Sequence, residues 1–239
     1  MISDRMAEIL ALLHRRDRSH TAVASAAALG VDSIAASLAV SGSASELVWC
    51  SGDLSVRFED AQFTLGEGPG PDALRSGELV AAPDLARIRP DRWPVLAQTL
   101  EGLPVRAVFC LPLGLGAIRV GVLTALRRSS GPMSEQQATD ALALSAVLTA
   151  FFLGGDGRLL DSWAPAESPR VLQRAVVRQA TGMISVQLDV PLPEALLRLR
   201  ASAYSSGRPI NDVAHDVVAR RLRFHVDMNG PNPPGNPRG

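Results

Sequence analysis

The chain has no lysine: all 24 of its basic side chains are arginine. A Walker-type phosphate loop needs a Lys at the phosphates, a protein kinase positions ATP with one, and a pyridoxal-phosphate enzyme forms its Schiff base on one. All three classes are excluded. A response-regulator receiver domain, which uses a Lys beside its aspartate pocket, is disfavoured on the same ground. Cysteine is nearly absent as well. Cys50 and Cys110 are too few for a disulfide scaffold or a cysteine zinc site. Within apolar strands they read as packing groups rather than as a redox pair. Long apolar runs are missing. The start, Met1-Ile2-Ser3-Asp4-Arg5, has no apolar stretch of the signal-peptide kind. Ala141 to Gly155 spans about 15 residues, short of the ~20 that cross a membrane. The expectation is a soluble, cytoplasmic protein with no membrane partner.

Reactive constellations are missing too. The four His, at 14, 20, 215 and 225, share no metal-ligand spacing, and no Gly-x-Ser-x-Gly elbow occurs. Glu59-Asp60 reads as a pair on an exposed helix without partners. No catalytic residue, metal site or cofactor is expected, and the chain is not read as an enzyme. Leu65-Gly66-Glu67-Gly68-Pro69-Gly70 lacks the strand–glycine–helix context of a phosphate loop and reads as a loop bordering a pocket.

What is present is a core and a division. Hydrophobic residues make up 46% of the 239 residues and charged ones 20%, enough apolar material for a folded body. Gly154-Gly155-Asp156-Gly157 opens a linker over 154–168. The tail over 226–239, rich in Pro and Gly, reads as disordered. The body, 1–153, mixes helical and strand patterns. Helices are expected from Met1 to Leu13, across Ala22–Leu29 and Ser55–Phe63, and from a Ser134 cap with Gln137 at its third position to about Leu153. Strands are expected at Ile34–Val40, Glu46–Cys50, Leu79–Ala82, Val105–Leu113 and Ile118–Leu126, the last two joined as a hairpin through Gly114-Leu115-Gly116. This is an α+β pattern built on an antiparallel sheet flanked by helices. Residues 169–225 show three helices and no strand. The first places Leu172, Ala175, Val176, Gln179, Ala180, Met183 and Ile184 on one stripe. The second turns Leu192, Ala195, Leu196, Leu199 and Ala203 inward and stops at Gly207. The third, starting at Pro209, turns Ile210, Val213, Ala214, Val217 and Leu222 inward.

Charge follows the division. Residues 1–168 hold 14 Arg and 19 acidic residues, a net −5; residues 169–225 hold 9 Arg and 4 acidic residues, a net +5. The overall zero conceals a basic helical block, whose expected partner is nucleic acid. Arg170, Arg174 and Arg178 recur every four residues as one ridge. Arg220, Arg221 and Arg223 cluster behind the third helix, with Arg198, Arg200 and Arg208 between. Guanidinium groups suit phosphates and guanine edges, although solvated helical faces and helix C-termini also attract Arg.

Three ordered segments resemble the ANTAR domain. They are Val177-Arg178-Gln179-Ala180-Thr181-Gly182-Met183, Glu194 through Tyr204 with its Ala195…Leu199-Arg200…Ala203, and Ile210-Asn211-Asp212-Val213-Ala214. The body resembles a GAF domain over Gln62–Gly70, Pro83-Asp84-Leu85, Arg92-Trp93-Pro94, Val105–Phe109 and Ala117–Leu123. The resemblance implies a GAF-like antiparallel sheet followed by a small three-helix ANTAR bundle. It implies binding to paired RNA stem-loops in nascent transcripts, transcription antitermination, a homodimer, and a small-molecule or protein signal at the GAF-like domain. The RNA-binding residues it suggests are Arg170, Arg174, Arg178, Gln179, Thr181, Arg198, Arg200, Arg208, Arg220, Arg221 and Arg223. The sequence departs from the family at Thr181, where a Lys is common. Tyr204, the single Tyr, is either a base-stacking platform or a core residue closing the second helix, the core reading being preferred. A DNA-binding regulator with the third helix as reader is the alternative, weakened by the acid in Asn211-Asp212.

Overall fold

The structure, a computed structural model, describes residues 1–14, 20–40, 44–89, 91–154 and 169–225. Most of the expected linker, with Trp163, and the expected disordered tail lie outside the described residues. The chain divides into two compact units, Met1–Val171 and Leu172–Gly239.

The N-terminal unit is built on a five-stranded antiparallel sheet. Its strands are β1 (Ser33–Val40), β2 (Ala44–Cys50), β3 (Val80–Ala82), β4 (Ala107–Leu115) and β5 (Ile118–Arg127), in the order β2-β1-β5-β4-β3. Both faces are covered, so the central strands read as apolar runs rather than as alternating ones. In β4, Ala107, Phe109, Leu111 and Leu113 face one core, while Val108 and Cys110 face the other. The first core is closed by α1 (Asp4–His14), α2 (Thr21–Ala28) and the long α6 (Glu135–Leu153). The second is closed by α3 (Asp53–Leu65), α4 (Pro69–Ser76) and α5 (Pro94–Thr99), through Phe58, Ala73 and Leu96. Close contact sets the middle of the sheet. A side chain on Gly121 of β5 would put its Cβ 2.2 Å from the Ser37 carbonyl oxygen of β1.

Helix α6 starts where the local signal placed it. The Ser134 hydroxyl accepts from the Gln137 N–H at 3.2 Å, and Gln137 Oε1 accepts from the Ser134 N–H at 2.9 Å. A long-range clamp joins α6 to α1. The buried Asp140 carboxylate accepts from the Ser3 N–H at 2.8 Å and from the Ser3 hydroxyl at 2.6 Å. The Ser3 hydroxyl caps α1 by accepting from the Met6 N–H at 3.2 Å, and Asp140 holds that cap from 137 residues away. Replacing Asp140 with Ala strips three donors of this acceptor, the two of Ser3 and Gln136 Nε2, and is expected to cost about 2 kcal/mol of stability. Urea unfolding of the full chain checks this, and a midpoint equal to that of the wild type would remove the clamp from the account.

Two expectations change in this unit. Residues 69–76 are helical: Pro69 and Gly70, read as part of a loop, open α4. Glu59 is not exposed and partnerless. It is 4% exposed and accepts from the Ser37 hydroxyl at 2.7 Å and from Gln62 Nε2 at 3.1 Å. Gln62 Oε1 in turn accepts from the Gly70 N–H at 2.7 Å. Gly68 and Gly70 press against Gln62, where an added Cβ would lie 2.6 and 3.0 Å from Oε1. The Glu67 carboxylate accepts from the N–H groups of Val95 and Leu96, at 2.8 and 2.7 Å, and so starts α5. The glycine-rich segment is thus scaffolding. Trp49 is a core residue, and Trp93 anchors its loop, buried, with Nε1 donating to Asp72 at 3.0 Å. Cys110 is buried. Burial first, then the nearby Glu59 charge, pushes its thiol well above the usual range, which keeps it protonated and inert.

The C-terminal unit consists, over its described residues, of α7 (Pro169–Leu188), α8 (Leu192–Ser206) and α9 (Ile210–Val218). Small residues sit where the helices meet: Ala180, Ala195, Ala203 and Ala214 are all buried, beside Val177, Ile184, Leu196, Leu199, Ile210, Val213 and Val217. Gly207 ends α8 with φ 64°, a conformation that favours glycine. No described helix is long and apolar enough to cross a membrane.

Candidate nucleic-acid interface

The inward stripe of α7 is offset from the expected one. Val177, Ala180, Thr181 and Ile184 are buried, whereas Gln179 is exposed and Met183 only half-buried. Rotating the stripe in this way separates two residues that the sequence had grouped. Gln179 stays available to a ligand. Thr181 does not: it is 7% exposed, and its hydroxyl donates to the Val177 carbonyl at 2.7 Å. This corrects the expectation that Thr181 contacts RNA, because a hydroxyl satisfied one turn back within a packed face has no donor to offer a phosphate.

The arginines do not act alike. Arg170 and Arg174 lie on the first turns of α7, and Arg178, half-buried, continues the row. Arg198 is exposed on α8 and pairs with Glu194 at 3.3 Å. Arg200, two positions on, points to a different side and is half-buried. Burial pulls its guanidinium down to about 10, still charged at neutral pH. Arg208 and Arg221 converge on Asp216, each at 2.7 Å. The first of these ties the α8–α9 turn to α9, and the second ties the segment behind α9 to the same carboxylate. Hydrogen bonds from Arg208 and then Arg221 hold the Asp216 carboxyl below its ordinary value. Arg220, with φ 59°, and Arg223 are exposed beyond α9.

Tyr204 overturns the core expectation. It is 69% exposed, on the outer side of α8. Leu197, 62% exposed, lies seven residues earlier, with exposed Ala201 between them. Spacings of four and three place all three on one outward stripe. Arg198 adjoins the first of them, and Arg208 follows four residues after Tyr204. The helix therefore presents an aromatic face and an aliphatic one among guanidinium groups. Leu199 and Ala203, one face away, carry the packing that Tyr204 was expected to share. The exposed stripe was legible in the helical spacing once the buried stripe is fixed at 195, 196, 199 and 203.

Residues 170–218 match the family model of the ANTAR domain. No curated protein matches the chain in sequence. Among solved structures, the chain is similar to the GAF domain of a phosphoenolpyruvate-protein phosphotransferase from Coxiella burnetii. That likeness has 17% identity and a TM-score of 0.49, and covers 65% of this chain and 98% of that one. It is also similar to the free methionine-R-sulfoxide reductase of Neisseria meningitidis, crystallised with its substrate. There the identity is 19% and the TM-score 0.48, with 64% of this chain and 93% of that one covered. The GAF domain of an Acinetobacter phosphoenolpyruvate-protein phosphotransferase shares 16% identity over 63% of this chain and 95% of that one, with a TM-score of 0.44. A segment that matches the ANTAR domain model thus follows a five-stranded antiparallel sheet flanked by helices.

Proposed function

We propose that the C-terminal unit binds hairpin RNA and that the chain is a transcription antitermination regulator, active as a homodimer and controlled by a signal received at the GAF-like unit. The observation that carries this reading is the outward Tyr204 on an ANTAR-matching helix, set among arginines. A-form RNA closes its deep groove to side chains, whereas loops expose unstacked bases. An exposed phenol stacks on such a base, and guanidinium groups hold the flanking phosphates. Two copies in a dimer present two such faces, which fits paired stem-loops. The signal then needs only to shift the population of dimers toward the RNA-competent arrangement, a change of a few kcal/mol.

The test is binding of the full chain to a two-hairpin RNA across a salt series. Affinity falls steeply with salt, as phosphate neutralisation requires. The double variant Arg174→Glu, Arg178→Glu binds at least about tenfold more weakly at equal salt. Unchanged affinity in that variant defeats the proposal. Competition with duplex DNA separates the alternative reading. Asp212 in the first turn of α9, and Asp216 occupied by Arg208 and Arg221, leave that helix poorly suited to a major groove.

A further inference from the structure

We propose that the N-terminal unit carries a binding site for a small phosphorylated compound in the cleft beside β3, with Arg87, Arg89 and Arg92 as its ligands. The cleft has a volume of about 480 Å³ and lies between the segment after β3 and the turn at Ser130–Pro132. It lies at the outer edge of the sheet, where β3 is the terminal strand and Ala81 is exposed. The Glu59–Gln62 cluster is buried and does not line the cleft. The site stands whether or not the C-terminal unit binds RNA.

Charge singles the cleft out. The residues up to 168 carry a net −5, yet here three arginines line one cavity with a single acid, Asp84. Their present ion pairs are long, Arg87 with Asp84 at 3.9 Å, Arg89 with Asp91 at 3.8 Å and Arg92 with Asp72 at 3.7 Å, and the Arg87 and Arg89 side chains are open to water. Exposed pairs of this kind are each worth about 0–1 kcal/mol, so a multivalent acceptor displaces them readily. A phosphoryl group supplies several oxygens that guanidinium forks engage in pairs.

The walls are fixed in advance. The Arg92 guanidinium lies over the Trp93 ring, 4.3 Å from its centroid, and Trp93 is itself tied to Asp72. Across the cleft, the Gly131 N–H donates to the Pro83 carbonyl at 2.8 Å. Arg127 donates to the Pro132 carbonyl at 3.0 Å and to Gln137 at 2.6 Å, which fastens that turn to the start of α6. Only Arg87 and Arg89, with side chains 87% and 80% exposed, need to be ordered on binding. The volume falls within the range of small-ligand clefts, about 300–1,000 Å³.

Isothermal titration of the full chain with inorganic pyrophosphate, at low salt and without RNA, tests the site. One-to-one binding with a submillimolar dissociation constant is expected. Arg87→Gln with Arg89→Gln weakens it by at least about tenfold, the loss of one or two charge-assisted hydrogen bonds. Ser130→Glu, which sets a carboxylate on the opposite lip, does the same without removing an arginine. The Arg174→Glu, Arg178→Glu variant binds pyrophosphate as the wild type does, so failure of the RNA reading leaves this result untouched. The proposal is overturned if millimolar pyrophosphate gives no heat, if both cleft variants bind normally, or if the α7 variant loses the binding. Equal affinity for citrate would make the site a general anion site, and tighter binding of a phosphoserine peptide would make it a protein-docking site. Either outcome also overturns the assignment.

Discussion

Replacing Tyr204 with Ala weakens hairpin-RNA binding by about 10- to 100-fold, equivalent to about 1–3 kcal/mol, and leaves the melting temperature unchanged. The two halves of this result belong together. Tyr204 is 69% exposed, so its removal opens no cavity in the bundle. The packing of α8 rests on Ala195, Leu196, Leu199 and Ala203, none of which is altered. What is lost is one flat surface on which a loop base can lie. Tyr204→Phe keeps that surface and retains most of the affinity. Fluorescence anisotropy with a labelled two-hairpin RNA reads the affinity, and circular dichroism reads the melting. A melting temperature that falls with the affinity would make Tyr204 a packing residue and remove its proposed role.

The second large effect concerns stability. Gly121→Val costs about 3 kcal/mol or more and lowers the melting temperature of the N-terminal unit by about 6–12 °C. Gly121 stands opposite Leu38 on one side and Leu113 on the other, in the strand between β1 and β4. Its Cβ would meet β1 backbone, not the end of a flexible side chain, at 2.2 Å from the Ser37 oxygen and 3.2 Å from the Leu38 Cα. The strands must separate, and the ladder bonds on that side lengthen. Gly116 in the hairpin provides the contrast. It has φ 59° but open space around it. Gly116→Ala therefore bears only the left-handed backbone cost, about 1–2 kcal/mol. Scanning calorimetry of both variants ranks them, and a Gly116→Ala penalty equal to or above that of Gly121→Val would contradict the account.

The elements that sequence revealed are those whose causes are local. The Ser134–Gln137 box fixes α6 within four residues, and the β4–β5 hairpin forms where expected, although Gly114 and Leu115 belong to β4 and the turn is Gly116-Ala117. The three helices of the basic block follow from apolar spacing and from Gly207. The features that escaped are those set by distant partners. Helix α5 starts on the carboxylate of Glu67, 28 residues before Val95. Glu59 is buried because Ser37, on a strand 22 residues earlier, donates to it. Neither partner lies in the window where periodicity is read. Two placements in the basic block, Thr181 and Tyr204, differ from expectation for a subtler reason. On α7, an apolar stripe containing both Gln179 and Ala180 was drawn one step away from the true one, and that step turned Thr181 inward. For Tyr204, the general preference of aromatic residues points to the core, whereas the helical phase set by Leu199 and Ala203 turns it outward.

The contact between Gln62 and the glycines at 68 and 70 has a consequence for heredity. Gln62 Oε1 occupies the space that a side chain at either position would need. Gly70→Ala therefore requires Gln62 to give by a few tenths of an ångström, and losing Gln62 removes an acceptor from the Gly70 N–H and a donor from the Glu59 carboxylate. The three positions form one inherited character written in two places. A side chain at Gly68 is therefore expected to be tolerated only together with a smaller residue at position 62, six residues upstream.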